Sequence, residues 1–273
     1  MAEAGIAEAA APADPADGSA ERALARYYDL DLSVEPGDLP LYVALAQRTG
    51  GPVLELAVGT GRLAVPLASA GWEVIGVDRD PHMLARAHDR WRAVDGDRAA
   101  RLELVTADLV EVELRRSFAL VVLALNSLLL LGSGDLQAGA LRTMARHLRP
   151  GGLAVVDVWL PGPDDLALYD GRLLLEWIRD DQETGERVAK MTSAVHDAAT
   201  ATVDLEAIFD AWPPGGGAVR RVARRDRLRL VSGDELVRRA EDAGLAVDLL
   251  AADYALTPFG PGAERAVLLA TLV

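Results

Sequence analysis

The 273-residue sequence contains no cysteine. That excludes disulfide frameworks, thiolate metal sites and cysteine nucleophiles together, and it fits a reducing compartment, with the cytoplasm as the expected location. Lysine occurs once, at Lys190, so nearly all the positive charge is arginine. Positive charge is also in the minority: 28 basic against 42 acidic side chains leave a net charge of −14. A surface of that sign repels phosphate backbones, which argues against nucleic acid or an anionic membrane as partner. Long hydrophobic runs are missing too. The most apolar stretch, Phe118 to Leu131, is interrupted by Asn126 and Ser127 and falls short of the roughly 20 residues of a membrane-spanning helix. Residues 1–20 are rich in Ala, Asp and Pro, with neither a basic start nor an apolar block, and read as a disordered leader. No serine stands in a nucleophile-elbow pattern. His82, His88 and His147 show no ligand spacing, so no metal centre is expected.

What is present is the balance of a folded protein, 51% hydrophobic and 26% charged. From Val53 the chain alternates short β-branched runs with helical patterns, the mark of βαβ units. Strands are expected at Val53–Ala57, Glu73–Val77, Leu102–Thr106, Ala119–Leu125 and Leu153–Val158. Helices are expected at Arg62–Ala70, after the Asp80-Pro81 start, and from about Asp135 to Leu148, where Pro150-Gly151-Gly152 stops the last. Beyond Pro161 the pattern becomes alternating segments near Leu173–Arg179, Arg187–His196, Thr202–Trp212 and Val219–Leu230, an antiparallel meander. Ser232-x-x-Glu235 opens a further helix as a capping box, and Leu245–Leu250 and Arg265–Leu272 close the chain as strands. The expected architecture is a doubly wound, mostly parallel, Rossmann-like seven-stranded sheet with an inserted antiparallel β meander. Its parts are an α/β core over 21–160, an insert over 161–231 acting as substrate lid or dimer surface, and completion of the core sheet by 232–273.

The informative segment is Glu55-Leu56-Ala57-Val58-Gly59-Thr60-Gly61, between a strand and a helix. Two glycines there let backbone approach a ligand closely, and the helix N-terminus behind presents free N–H groups. Nineteen positions after Gly59 stands Asp78, at the end of the second strand, where a carboxylate accepts from the two hydroxyls of a ribose. Gly59-x-Gly61-x-x-Ala64 also satisfies the dinucleotide pattern, which makes a nicotinamide-dependent oxidoreductase the rival reading. Glu55 opposes it, because a carboxylate at the first strand's end repels a pyrophosphate and suits a cationic ligand.

These residues resemble the first motif of the class I S-adenosylmethionine-dependent methyltransferases. The resemblance continues through Val77-Asp78-Arg79-Asp80-Pro81-His82-Met83-Leu84, Val105-Thr106-Ala107-Asp108-Leu109 and Leu148-Arg149-Pro150-Gly151-Gly152, covering about residues 20 to 160 in order. The ending Asp253-Tyr254 to Pro258-Phe259 is similar to small-molecule, sugar-amine and glycine N-methyltransferases. The resemblance implies S-adenosylmethionine as cofactor and S-adenosylhomocysteine as product. It places Gly59, Gly61 and the Ala57 backbone along the methionine part, Glu55 toward the ammonium, Asp78 on the ribose and Met83 against adenine. Asp108 and the Leu109 backbone would receive the adenine amino group, and Tyr28, Arg62, Arg79 and Leu125 complete the cofactor set. Ala57 departs from the commonest pattern, which has glycine there. A relative that uses the cofactor structurally, without methylating, would carry the same motifs.

For the acceptor, residues at the carboxyl ends of the strands matter. Asn126 follows strand four and Trp159 ends strand five; Tyr27 and Trp177 are added as substrate contacts. Tyr28, Asn126 and His196 are the candidate catalytic groups, His196 being the histidine expected to face the pocket. Strand four lacks the Asn/Asp-Pro-Pro-aromatic signature of amino-methylating nucleic-acid enzymes, which with the charge points to a small-molecule substrate. A homodimer is left open.

Overall fold

A computed structural model of the chain describes residues 18–34, 36–94 and 101–273. Most of the expected leader lies outside the described residues, but Ser19 and Ala20, assigned to it, already belong to helix α1, Ser19–Asp31. A helix absent from the expectation, α2, spans Leu39–Thr49 with Pro40 in its first turn; Leu41, Tyr42, Leu45 and Ala46 form its buried stripe.

The core is a seven-stranded sheet. Strands β1 (Val53–Leu56), β2 (Val74–Asp78), β3 (Leu102–Thr106), β4 (Phe118–Leu123) and β5 (Leu148–Trp159) run parallel, and β10 (Leu245–Ala251) and β11 (Arg265–Leu272) are the last two strands of the chain. The order is β10-β11-β5-β4-β1-β2-β3, with β11 antiparallel to both neighbours. β1 and β4 are buried at every position, as continuous apolar runs require when helices cover both faces. One face carries α5 (Gly134–His147) and α7 (Gly233–Asp242); the other carries α2 and α3 (Ala64–Ser69). Helix α4 (Pro81–Val94) starts as expected: Asp80 Oδ1 accepts from the His82 N–H at 2.8 Å. The direction of strand order reverses between β1 and β4, which puts the ligand crevice beyond their carboxyl ends.

Two details differ from expectation. Pro150-Gly151-Gly152 does not separate α5 from β5; the strand begins at Leu148 and passes through it, with an irregular register between Phe118 and Leu120 on β4. Ser232 caps α7, accepting from the Glu235 N–H at 3.2 Å, but the reciprocal half of the box is missing because Arg229 and Arg239 hold the Glu235 carboxylate.

Between β5 and α7 lie the short helix α6 (Pro163–Ala167) and a separate antiparallel sheet, β6 (Asp170–Asp180), β7 (Arg187–Asp197), β8 (Thr202–Trp212) and β9 (Arg220–Arg229), in that order. Its inner face buries Val188, Phe209 and Val222 against Ala23 and Tyr27 of α1. On its outer face Asp204, Glu206 and Asp210 pair across the strands with Arg227, Arg225 and Arg221.

Candidate active site

The loop after β1 folds because three residues take left-handed backbone: Ala57 (φ 56°), Gly59 (φ 55°) and Gly61 (φ 77°). For Ala57 that conformation is strained, in keeping with the glycine usual in the resembling motif. At Gly61 a Cβ would stand 3.1 Å from both Ala87 and Val65, so absence of a side chain lets α3 and α4 close on the loop. Asp78 fixes the loop from the next strand: Oδ2 accepts from the Gly59 N–H at 2.9 Å and Oδ1 from the Asp80 N–H at 2.9 Å. Burial raises the Asp78 pKa, opposed by those two N–H groups. Tyr28 of α1 lies over Gly59, its ring 3.8 Å from where a Cβ would be. Burial pushes its phenol up to about 12, so it is no base near neutral pH.

Glu55 is 4% exposed at the end of β1. One carboxyl oxygen accepts from the Ala64 N–H at the start of α3, while Oε2 is buried without a partner among the described residues. Burial pushes its pKa up to about 8, partly offset by Arg62. Arg62 is not free to neutralise it, because its guanidinium is bidentate to buried Asp38 at 2.6 and 2.7 Å. Burial works against the Arg62 charge, but Asp38 outweighs it. Glu55, Asp38 and Asp78 bring three carboxyl groups to the pocket, against Arg62, tied to Asp38, and the exposed Arg79 beside Asp78. The pocket therefore suits a cation and opposes a pyrophosphate, which removes the support for a nicotinamide cofactor.

At the end of β4, Leu125 (φ 51°) and Asn126 (φ 65°) are successive left-handed residues. Asp157, fully buried on β5, holds them. It accepts from the Leu125 N–H at 2.8 Å, Tyr42 Oη at 2.6 Å, Tyr254 Oη at 2.9 Å and Arg265 Nη1 at 2.7 Å. Asn126 Oδ1 in turn accepts from the Trp159 N–H at 2.5 Å, and the Trp159 ring meets Tyr169 at 6.2 Å.

A family model described as a methyltransferase domain matches residues 53–152. The Cypemycin N-terminal methyltransferase of a Streptomyces species is 27% identical over 210 residues, 77% of this chain and 78% of that protein. The dTDP-3-amino-3,4,6-trideoxy-alpha-D-glucopyranose N,N-dimethyltransferase of Streptomyces venezuelae is 26% identical over 220 residues, 81% of this chain and 86% of that one. The solved structure of the CcbJ methyltransferase from Streptomyces caelestis superposes with a TM-score of 0.71 at 27% identity, covering 87% of this chain and 96% of that one. Residues 53–152 are a methyltransferase domain, and the chain is an S-adenosylmethionine-dependent methyltransferase.

S-adenosylmethionine is the cofactor of this methyltransferase, and the residues present fit it: the orphaned Glu55 Oε2 awaits a cationic donor, and the bare backbone of Gly59 and Gly61 leaves room beside it. The other expected positions divide. Met83 is half-buried on α4 and Arg79 is exposed just beyond Asp78. Asp108 Oδ1 accepts from the Val110 N–H at 2.8 Å, closing its own turn after β3, with Leu109 next to it. Two substrate contacts are corrected. Tyr27 is fully buried, stacks on Phe209 at 5.1 Å and receives Arg220 on its hydroxyl, so it joins α1 to the second sheet. Trp177 donates from Nε1 to Asp31 at 2.8 Å, packs on Phe209 and lies under the Arg179 guanidinium, pinning the end of α1. His196 faces a different cavity, away from the glycine loop. Asp157 was expected only as a residue ending strand five, and Asp38 and Tyr169 were not anticipated; little beyond their acidic and aromatic residue types could have signalled them.

Proposed function

We propose that this methyltransferase acts on the amino group of a small molecule in specialised metabolism, and that the site residues divide between cofactor and acceptor as follows. Glu55 receives the ammonium, the Ala57–Gly61 backbone lines the methionine part and Asp78 takes the ribose. Met83, Asp108 and Leu109 border adenine, with Arg62 and Arg79 framing the pocket and Leu125 and Tyr28 closing it. When bound, S-adenosylmethionine supplies an activated methyl group on a sulfonium. Asn126 and Trp159 stand on the acceptor side, where the protein's task is to orient the nucleophile and exclude water, which can supply about 7–11 kcal/mol.

One observation supports nitrogen as the accepting atom. Among the described residues, the ends of β4 and β5 bring together Asn126, Ser127, Trp159 and the already saturated Asp157, with no free base. An amine needs only to lose its proton before attack, whereas a hydroxyl or carbon nucleophile needs a general base in reach. The Streptomyces venezuelae relative, named an N,N-dimethyltransferase of an amino sugar, agrees with this reading.

No described helix is long and apolar enough to cross a membrane, and we place the enzyme in the cytoplasm on its lack of cysteine. The edge strand β6 exposes Leu173, Leu175 and Ile178 on one face, a surface for a second copy that light scattering would test.

The deciding experiment is calorimetric titration with S-adenosylhomocysteine and NADH in parallel, followed by an acceptor panel read by S-adenosylhomocysteine release. Micromolar binding of the first alone and turnover confined to amines are the expected results. NADH binding in its place, or turnover of hydroxyl acceptors only, would overturn the reading. His196→Ala should keep its maximal rate; lost turnover with a shifted pH profile would restore that residue as a base.

A further inference from the structure

A cavity of about 550 Å³ lies on the seam between the two sheets, beyond the carboxyl end of β5. Its volume falls within the range of small-molecule sites, about 300–1,000 Å³. Leu160, Leu166, Leu230 and Phe259 supply apolar walls, and the imidazole of His196 enters from β7. It is adjacent to the acceptor side by direct connection. Leu160 follows Trp159, whose N–H is bonded to Asn126, and Tyr169, in ring contact with Trp159, accepts the His196 backbone N–H at 3.1 Å.

The charge of the lining is informative. No lysine or arginine is among the described lining residues; the charged groups there are Asp234 and Glu235. Glu235 is already held by Arg229 and Arg239, at 3.1 and 2.7 Å. Neither the His196 ring nor the Asp234 carboxylate makes a hydrogen bond to a described residue, and of the two only His196 can offer an uncharged polar contact amid the apolar walls. An anionic group would meet the Asp234 carboxylate, with Arg229 and Arg239 behind the lining already engaged by Glu235.

We propose that this cavity receives the part of the acceptor remote from the methylated atom, and that this part is uncharged and largely apolar, with a hydrogen-bonding group for His196. The proposal rests on reading the ends of β4 and β5 as the acceptor side. It separates this enzyme from the Streptomyces venezuelae relative, whose name specifies a dTDP-linked sugar, because a nucleotide diphosphate finds no lysine or arginine among the described lining residues.

The test uses two fluorescent probes on the full chain, neutral N-phenyl-1-naphthylamine and anionic 8-anilinonaphthalene-1-sulfonate. Ala263→Trp, at the half-buried rim, fills the cavity; Leu166→Asn, on α6, makes one wall polar. The neutral probe should bind the wild type and bind both variants about tenfold more weakly, while S-adenosylhomocysteine affinity stays within about twofold, which shows the variants folded. Failure of the neutral probe to bind, equal binding by wild type and both variants, or tighter binding of the sulfonate would overturn the proposal. Failure of S-adenosylhomocysteine to bind the wild type would instead overturn the cofactor assignment and leave the cavity result standing.

Discussion

The unpaired carboxyl of Glu55 makes cofactor affinity depend on pH, with a sign that follows from its burial. Burial holds its pKa at about 8, so most of it is protonated at neutral pH and offers an ammonium no charge. An opposite charge in contact lowers a carboxyl pKa by about 1–3 units. With a drop of about 2 units, affinity for S-adenosylhomocysteine should rise about 20-fold from pH 5.5 to pH 7.5, a window below the roughly 7.7–8.0 at which an α-amino group titrates. Near pH 7 binding should release about 0.8 proton. Titration calorimetry in two buffers of different ionisation enthalpy measures both quantities. Glu55→Gln is the control: permanently neutral, it should match the wild type at pH 5.5, bind about 25-fold more weakly at pH 7.5, and release no proton. The stability of the free protein carries the opposite slope. The folded chain holds this proton more tightly than the unfolded one, so between about pH 4.5 and 8 the Glu55 contribution falls as pH rises, by at most about 1.4 kcal/mol per unit, and Glu55→Gln should remove that slope. An affinity flat within about twofold across the window, with buffer-independent heats, would refute the reasoning.

Asp78→Ala should weaken S-adenosylhomocysteine binding at least tenfold by calorimetry, since a hydrogen bond to a charged group contributes about 1.5–3 kcal/mol. Asp157→Asn leaves Arg265 without its buried partner and loosens Leu125, so the urea midpoint should fall by the equivalent of about 3–5 kcal/mol; an unchanged midpoint would show that the four bonds to Asp157 contribute little. Asp29 accepts from Arg86, Arg90 and Thr60 at 2.6, 2.9 and 2.6 Å. Asp29→Ala should therefore speed amide exchange in α1 and raise the ligand's dissociation rate a few-fold, an effect that added salt reproduces in the wild type.

The core of the fold was legible because its strands are buried on both faces and read as unbroken apolar runs. Val53–Leu56 and Phe118–Leu123 admit few other readings, and Asp80-Pro81 announces α4 through its cap. The glycine loop and Asp78 were legible for a similar reason, as backbone conformation and charge at strand ends are written in residue type. Helix α2 was missed because its stripe is only 11 residues long and follows Pro36 and Gly37, which read as loop. The partners of Tyr27 and Trp177 were not legible. Both are amphipathic aromatics, and whether such a ring lines a pocket or joins two elements depends on which sheet face packs on α1, a tertiary fact that no local pattern encodes. Asp157 looked like a polar residue at a strand end; its four donors come from α2, β4, the segment after β10 and β11, far apart in sequence.

Helix α1 explains why the second sheet and the cofactor loop belong to one site. Consecutive residues of its last turns face different partners. Tyr27 enters the second sheet against Phe209; Tyr28 lies over Gly59; Asp29 holds Arg86 and Arg90 of α4; Asp31 receives Trp177 at 2.8 Å and Lys190 at 2.5 Å. Arg179 of β6 closes the same helix end through the Leu30 and Asp31 carbonyls. A shift of α1 that uncovers Gly59 must therefore break contacts to both sheets together. The lone lysine of the chain is spent on this joint, and two of the aromatics assigned from sequence to the substrate, Tyr27 and Trp177, instead hold the joint in place. Access to the glycine loop is thus set by the second sheet as well as by the loop itself.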